Sequence, residues 1–436
     1  MAKEENAMTR FEPRPLQEIK LLQEEYLVEP HPKSKWMPYS AEAGRAVVYK
    51  LKSIRSGVFY ALKVFKNRFR DSEVVGGAER LIKFSSIPGM KAAERRVVLP
   101  DEPLARQFAD LQFAVIMPWI EGRTWFDILE STKTGHKFSR DGAAHLCERF
   151  LGTVRQLESR RLAHTDLSPG NIMFDLARFS VELLDLEDMY SPDFPAPRHI
   201  ESVRGSKGYR NVDAINNHHL WRPEADRFSA AIISAEILMM TESHLVMEMT
   251  GDGFFSETEN RLRLSDRFES AKTLLDDFSP SFSAAFQQAW FAQSLEACPT
   301  VDTLYGCIAD IARQQNSSPS SILVSFEHKT VREHSNSTPP GTGPIVDWAP
   351  LPTVTWEQPS ASHPSPAHTS SNQPAVASSQ KTSRTKVSGT GKQKRPRNRD
   401  YWIAAFIAFV LAIATNTPGL LWIIPILFVI WLLTHE

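Results

Sequence analysis

The sequence predicts an α+β protein of two unequal lobes, a small one built on strands followed by a larger one built on helices. Three observations carry that prediction. Apolar periodicity runs unbroken from about residue 36 to residue 315, with glycine and proline only as punctuation. The first third of this stretch holds β-branched and aromatic runs, Ala46–Lys50 and Val58–Lys66, of strand character. Beyond it, Gly142–Glu158, Arg227–Met240 and Val301–Gln314 carry apolar residues at helical spacing.

Taken in order, residues 1–35 are a polar N-terminal extension in which Leu16–Tyr26 reads as a short helix. Residues 36–118 make the strand-rich lobe, with a helical stretch at Asp71–Ser85, and residues 119–315 make the helical lobe. From 316 to 400 the chain is dominated by Ser, Thr, Pro, Gln and His. Such a segment buries too little apolar surface to offset its ordering entropy, so it reads as a disordered linker. It ends in a basic run, Lys392, Lys394, Arg395, Arg397 and Arg399.

Residues 401–434 read as a membrane anchor. Two apolar runs, Trp402–Ala414 and Leu420–Leu433, flank Thr415-Asn-Thr-Pro-Gly. Each would span only ~20 Å as a helix, against a hydrocarbon core of ~30 Å. That leaves a hairpin, which the Asn-Thr-Pro-Gly turn signal favours, or one tilted and kinked transmembrane span. The basic run belongs on the cytosolic side against anionic lipid, which makes membrane lipid an expected partner and faces the folded lobes to the cytosol. The net charge of −1 gives no pull toward nucleic acid. Three cysteines, Cys147, Cys298 and Cys307, are too few and too scattered for a disulfide framework or a zinc site.

The strongest chemical signal is His164-Thr-Asp166-Leu-Ser-Pro-Gly-Asn171. An Asp followed five positions on by an Asn suits phosphoryl transfer: the carboxylate orients the acceptor hydroxyl and the amide holds magnesium on the phosphates. Asp185 closes the apolar run Val181–Leu184, where a second metal-binding carboxylate belongs. Lys63 lies inside the apolar strand Phe59-Tyr-Ala-Leu-Lys63-Val-Phe. A charge there is costly unless it meets an anion, and ATP phosphates would be one. Other readings of these residues are a Lys63 amine that snorkels to water and turn residues at 166, 171 and 185. His164 reads as a packed brace of its loop.

Together these segments resemble a divergent eukaryotic-type Ser/Thr protein kinase from about Trp36 to Ile311. Ala61-Leu-Lys63 resembles the strand lysine. Glu79 falls where the helix glutamate that pairs with it should lie, with Glu73 as a rival. Phe113-Ala-Val-Ile-Met117-Pro-Trp resembles the strand into the adenine-binding hinge. Asp185-Leu-Glu187 stands at the metal-binding Asp-Phe-Gly, and Gly205-Ser-Lys-Gly-Tyr209 at the end of the activation segment. Asp226 to Glu236 resembles the long buried helix that follows. The resemblance implies a bilobal kinase fold, ATP and Mg2+ as cofactors, and a protein substrate. It further implies Asp166 and Lys63 as catalytic residues, Lys63, Glu79, Gly44, Val48 and Met117 as nucleotide contacts, and Asn171 and Asp185 as metal ligands.

The departures matter as much. The glycine-rich loop reads Ala41-Glu-Ala43-Gly44-Arg-Ala46-Val-Val48, with alanine where the family has glycine. Alanine restricts the backbone and adds a methyl where phosphate must approach, so the loop is expected to stand off and ATP affinity to be modest. Glu187 replaces the Asp-Phe-Gly glycine. Ser168 replaces the lysine two residues after the catalytic Asp, as in aminoglycoside phosphotransferases. Asn211-Val-Asp213 stands at Ala-Pro-Glu, and Cys298 replaces the arginine that pairs with its glutamate. A catalytically silent scaffold and a small-molecule phosphotransferase therefore remain the alternative functions.

Overall fold

The computed structural model describes residues 10–314 and 323–325, except 43, 133–135, 198, 201, 202, 218, 249–252 and 264. The chain divides into two units, residues 1–361 and 362–436, and the second lies wholly outside the described residues. The expected anchor, its basic run and the linker beyond residue 325 fall there or in the undescribed end of the first unit. Among the described residues no helix is long and apolar enough to cross a membrane.

The first lobe is one antiparallel sheet of β1 (Glu18–Leu21), β2 (Glu24–Val28), β3 (Ser40–Glu42), β4 (Ala46–Ser53), β5 (Phe59–Phe65), β6 (Arg96–Val97) and β7 (Val115–Pro118). Its order is β1-β2-β4-β5-β7-β6, with β3 paired to β4. Helix α1 (Glu73–Leu81) follows β5, and α2 (Pro103–Gln107) lies between β6 and β7. Tyr26, Leu51, Leu62 and Ile116 are buried in the sheet's apolar layer.

Residues 16–26 are not the helix that was expected. They form the β1–β2 hairpin, with Ile19 opposite Tyr26. Leu22 and Gln23, at φ 52° and 64°, make its turn with both central residues left-handed. The Leu, Glu and Lys of this segment favour helix intrinsically. Burial overrides that preference: Ile19 and Leu21 face the core while Glu18 and Lys20 face water, a period of two. The segment thereby joins the sheet as its outer hairpin.

The second lobe contains β8 (Arg123–Thr124), α3 (Trp125–Thr132), β9 (His136–Phe138), α4 (Arg140–Ser159), β10 (Ile172–Asp175) and β11 (Ser180–Leu183). It continues with α5 (Val212–Asn217), α6 (Arg227–Met239), α7 (Ser243–Glu248), α8 (Glu257–Leu262), α9 (Asp266–Phe278), α10 (Pro280–Phe291) and α11 (Val301–Gln314). Ser139 caps α4 by accepting from Gly142 N. Every residue of α6 from Phe228 to Met239 is buried, which its nearly all-round apolar and small composition allows. Helices α4, α9 and α10 pack around it. A further strand, β12 (Leu323–Ser325), pairs with β9 and lies inside the stretch that the sequence assigns to the linker.

The β10–β11 hairpin sets the site. Ile172 pairs with Leu183, which brings Asn171, just before β10, beside Leu184 and Asp185, just after β11. Leu184 N accordingly donates to the Asn171 carbonyl at 2.8 Å.

Candidate functional site

Lys63 sits in the interior of the sheet, opposite Val48 on β4 and Val115 on β7. It is only 6% exposed. Its Nζ donates to Asp185 Oδ1 at 2.5 Å and lies 2.9 Å from Glu187 Oε2. The second contact is an ion pair without hydrogen-bond alignment, since Glu187 Oε2 has no hydrogen-bond donor. Burial opposes charge on Lys63, but Asp185 and Glu187 outweigh it and hold its pKa above the usual lysine range. Burial likewise pushes the Asp185 carboxyl up to about 6, with Lys63 opposing and Glu187 adding. For Glu187 burial is overcome by Lys63 and Arg95, and its pKa falls.

Two more cations complete the cluster. Arg95 Nη1 donates to Glu187 Oε1 at 2.9 Å, and Arg45 Nη2 lies 2.8 Å from Asp188 Oδ2. Arg45 belongs to the turn between β3 and β4, so that turn is tied to the segment after Asp185 rather than standing clear of it.

The loop ahead of β10 is fixed from below. Asp226, buried at the start of α6, accepts from His164 N at 2.6 Å and from Thr165 N at 2.9 Å. These bonds hold Thr165 at φ 70°, a conformation disfavoured for a β-branched residue. His164 is buried, accepts from Asp166 N on Nδ1 at 3.3 Å, and meets the Leu184 carbonyl with Nε2 at 2.6 Å. An accepting Nδ1 puts the proton of the neutral ring on Nε2. The ring thus links the two hairpin flanks as a brace. Above it, Asn171 Nδ2 donates to the Asp166 carbonyl at 2.9 Å and to Asp166 Oδ2 at 3.2 Å. The other carboxylate oxygen, Oδ1, accepts from Ser206 Oγ at 2.8 Å.

The structure therefore brings Lys63, Asp185, Asn171 and Asp166 to one edge of the two lobes. Val48 and Met117 are half-buried on β4 and β7, Met117 opposite Ala61. Gly44 is exposed in the turn after β3, and Ala43 lies outside the described residues. Ala46 is fully buried with Phe65 and Val115, so its methyl belongs to the apolar core of the lobe. Glu79 does not brace Lys63: both Glu79 and its rival Glu73 are exposed on α1, and the lysine's carboxylates are Asp185 and Glu187. The reason is local, because Asp185 at φ 57°, ψ 54° turns the chain into a 3-10 turn, Leu186–Asp188, that carries Glu187 to the lysine.

Sequence reasoning missed Arg95, since nothing local marks an arginine whose partner lies 92 positions away. It also missed a re-made ion pair. Asp213 keeps an arginine, but that arginine is Arg222. The cysteine at 298 lies 3.8 Å from Asn211 Nδ2, and burial pushes its thiol up to about 12, which leaves it unreactive. A separate hollow of about 650 Å³, between α4 and β11, is bordered by none of the site residues.

Among the described residues no three His, Cys, Asp or Glu side chains close around one point. The donors nonetheless suit magnesium, which takes one or two protein carboxylates and completes its shell with substrate phosphates and water. Asp185 supplies such a carboxylate and Asn171 an amide oxygen, and Glu187 is a second carboxylate on the Asp185 side, sharing Lys63 with it.

None of the curated proteins compared matches the chain. The family model described as protein kinase domain matches residues 43–288, more than half of the sequence. This interval contains Lys63, Asp166, Asn171 and Asp185 in the family's order, on the two-lobed framework just described, and the chain belongs to the protein kinase family.

Proposed function

We propose that the chain is an active Ser/Thr kinase that moves the ATP γ-phosphoryl group to hydroxyls of a protein, at a membrane and facing the cytosol. One observation carries the catalytic part: the Ser206 hydroxyl rests on Asp166 Oδ1 at 2.8 Å, with Asn171 holding the other oxygen. A serine hydroxyl on that carboxylate has the geometry an acceptor needs. Asp166 orients the hydroxyl and takes its proton, Lys63 fixes the phosphates, and Asn171 and Asp185 hold magnesium. The metal, when bound, neutralises charge on the phosphates.

Two other readings have support of their own. Lys63 paired directly with Asp185, and Arg45 with Asp188, favour a scaffold that transfers nothing. Ser168 in place of lysine favours a small-molecule acceptor. Incubating the full chain with labelled ATP and magnesium, with a mixed protein substrate or with small alcohols and aminoglycosides, separates the three. Label is expected on protein serine and threonine. Label on small alcohols alone, or on nothing, overturns the proposal in favour of the corresponding alternative.

The membrane part rests on residues 401–434 and the basic run before them. Removing Tyr401–Glu436 is expected to move the protein from the membrane fraction to the soluble fraction with phosphate transfer retained. A truncated chain that still sediments with membranes places the anchor elsewhere.

A further inference from the structure

We propose that Glu187, anchored by Arg95, is the carboxylate that positions Lys63 for nucleotide, in place of an acid on helix α1. This rests on the phosphotransfer reading and adds to it how the lysine is held. Glu187 uses both oxygens on cations, Oε1 on Arg95 Nη1 at 2.9 Å and Oε2 on Lys63 Nζ at 2.9 Å. Arg95 is itself fixed. Its Nε and Nη2 donate to the Ala92 carbonyl at 3.0 and 2.8 Å, and only 2% of its side chain is exposed. The turn that carries Glu187 is pinned by Leu186, which is fully buried. The result is a chain of contacts, Ala92–Arg95–Glu187–Lys63, whose two cations are buried and whose carboxylate is mostly so.

Helix α1 offers no comparable support. Glu79 points to solvent, and the helix carries Gly76-Gly77 in its middle. Glycine in a helix interior weakens it relative to alanine. A brace on the segment that carries Asp185 has a further consequence. The lysine and the segment that carries Asp185 are joined directly through Glu187, on a turn that α1 also packs against. With magnesium bound, Asp185 would hold the metal and Glu187 would remain as the carboxylate on Lys63.

Steady-state phosphate transfer by the full chain tests this with four variants: Glu187→Gln, Glu187→Asp, the paired change Arg95→Met with Glu187→Met, and Glu79→Gln. The paired change leaves no unpartnered buried charge and guards against simple unfolding, which a melting curve checks. Glu187→Gln and the paired change are expected to raise KM for ATP at least tenfold and to lower kcat less, with Glu187→Asp recovering part of the loss. A folded paired variant whose KM stays within twofold of the native value overturns the brace, as does a larger effect from Glu79→Gln. If the native chain neither transfers phosphate nor binds ATP by calorimetric titration, the phosphotransfer reading falls and takes the brace with it. If the native chain transfers and only the KM prediction fails, the brace alone falls.

Discussion

Asp166→Ala is expected to lower kcat for phosphate transfer by roughly 10²- to 10⁴-fold, the usual contribution of a positioned general base, while ATP still binds. The loop does not depend on this side chain. Asn171 also donates to the backbone carbonyl of residue 166, and His164 and Thr165 are held by Asp226. What the alanine removes is the carboxylate on which Ser206 now rests. Asp185→Ala is expected to act at a different step. It takes away the proposed metal donor and the closest partner of Lys63, so magnesium-dependent nucleotide binding itself should weaken. The comparison needs transfer rates and nucleotide titrations with and without magnesium. Transfer that survives both substitutions removes Asp166 and Asp185 from the roles given them here.

The largest stability effect is expected at Glu236, which lies in the last turn of α6 with no exposed surface. Its carboxylate accepts from Trp125 Nε1 at 2.9 Å, Phe254 N at 2.8 Å and Tyr209 OH at 3.0 Å. Glu236→Ala strands three buried donors at once. At about 1–3 kcal/mol for each unsatisfied group, a loss of roughly 3–5 kcal/mol follows after partial relaxation. For a lobe of this size that is a fall in Tm on the order of 10 °C. A melting temperature within ~2 °C of the native protein's would contradict this account.

The same residue gives a pH signature. Burial pushes its carboxyl up to about 7 from an ordinary 4.5, against the lowering effect of its three donors. In this interval the folded state binds the proton more tightly than the unfolded chain. The stabilisation is therefore fully present below pH 4.5 and is lost as pH rises through 7, by up to about 3 kcal/mol. Urea unfolding of the native protein and of Glu236→Gln between pH 5 and 8 isolates it: the variant should show a shallower decline with pH. Parallel slopes would assign the pH dependence to other groups.

Much of this molecule is written locally. The runs at Val58–Lys66 and Val301–Gln314 became β5 and α11 within a residue at either end, because hydrophobic period and length are properties of a segment. The spacing from Asp166 to Asn171 likewise implies one loop, and the apolar strand ahead of Asp185 implies a second end close by. The Leu16–Tyr26 segment failed for the opposite reason. Its residues favour helix, and only the neighbouring β4, with Tyr26 opposite Ser53, makes the extended form the better way to bury Ile19 and Tyr26.

By itself, then, the sequence determined the two-lobed class and the order of the candidate site residues along the chain. Tertiary structure alone decided which charge meets which. Lys63 could have paired with any acid near its strand, and the resemblance pointed to Glu79. The left-handed turn at Asp185 and the burial of Arg95 against the Ala92 carbonyl brought Glu187 instead. Asp213 similarly pairs with Arg222, while Cys298 lies buried beside Asn211. A buried charge requires a partner, but its identity depends on how segments far apart in the chain approach one another, and the spacing of residues along the chain does not record that.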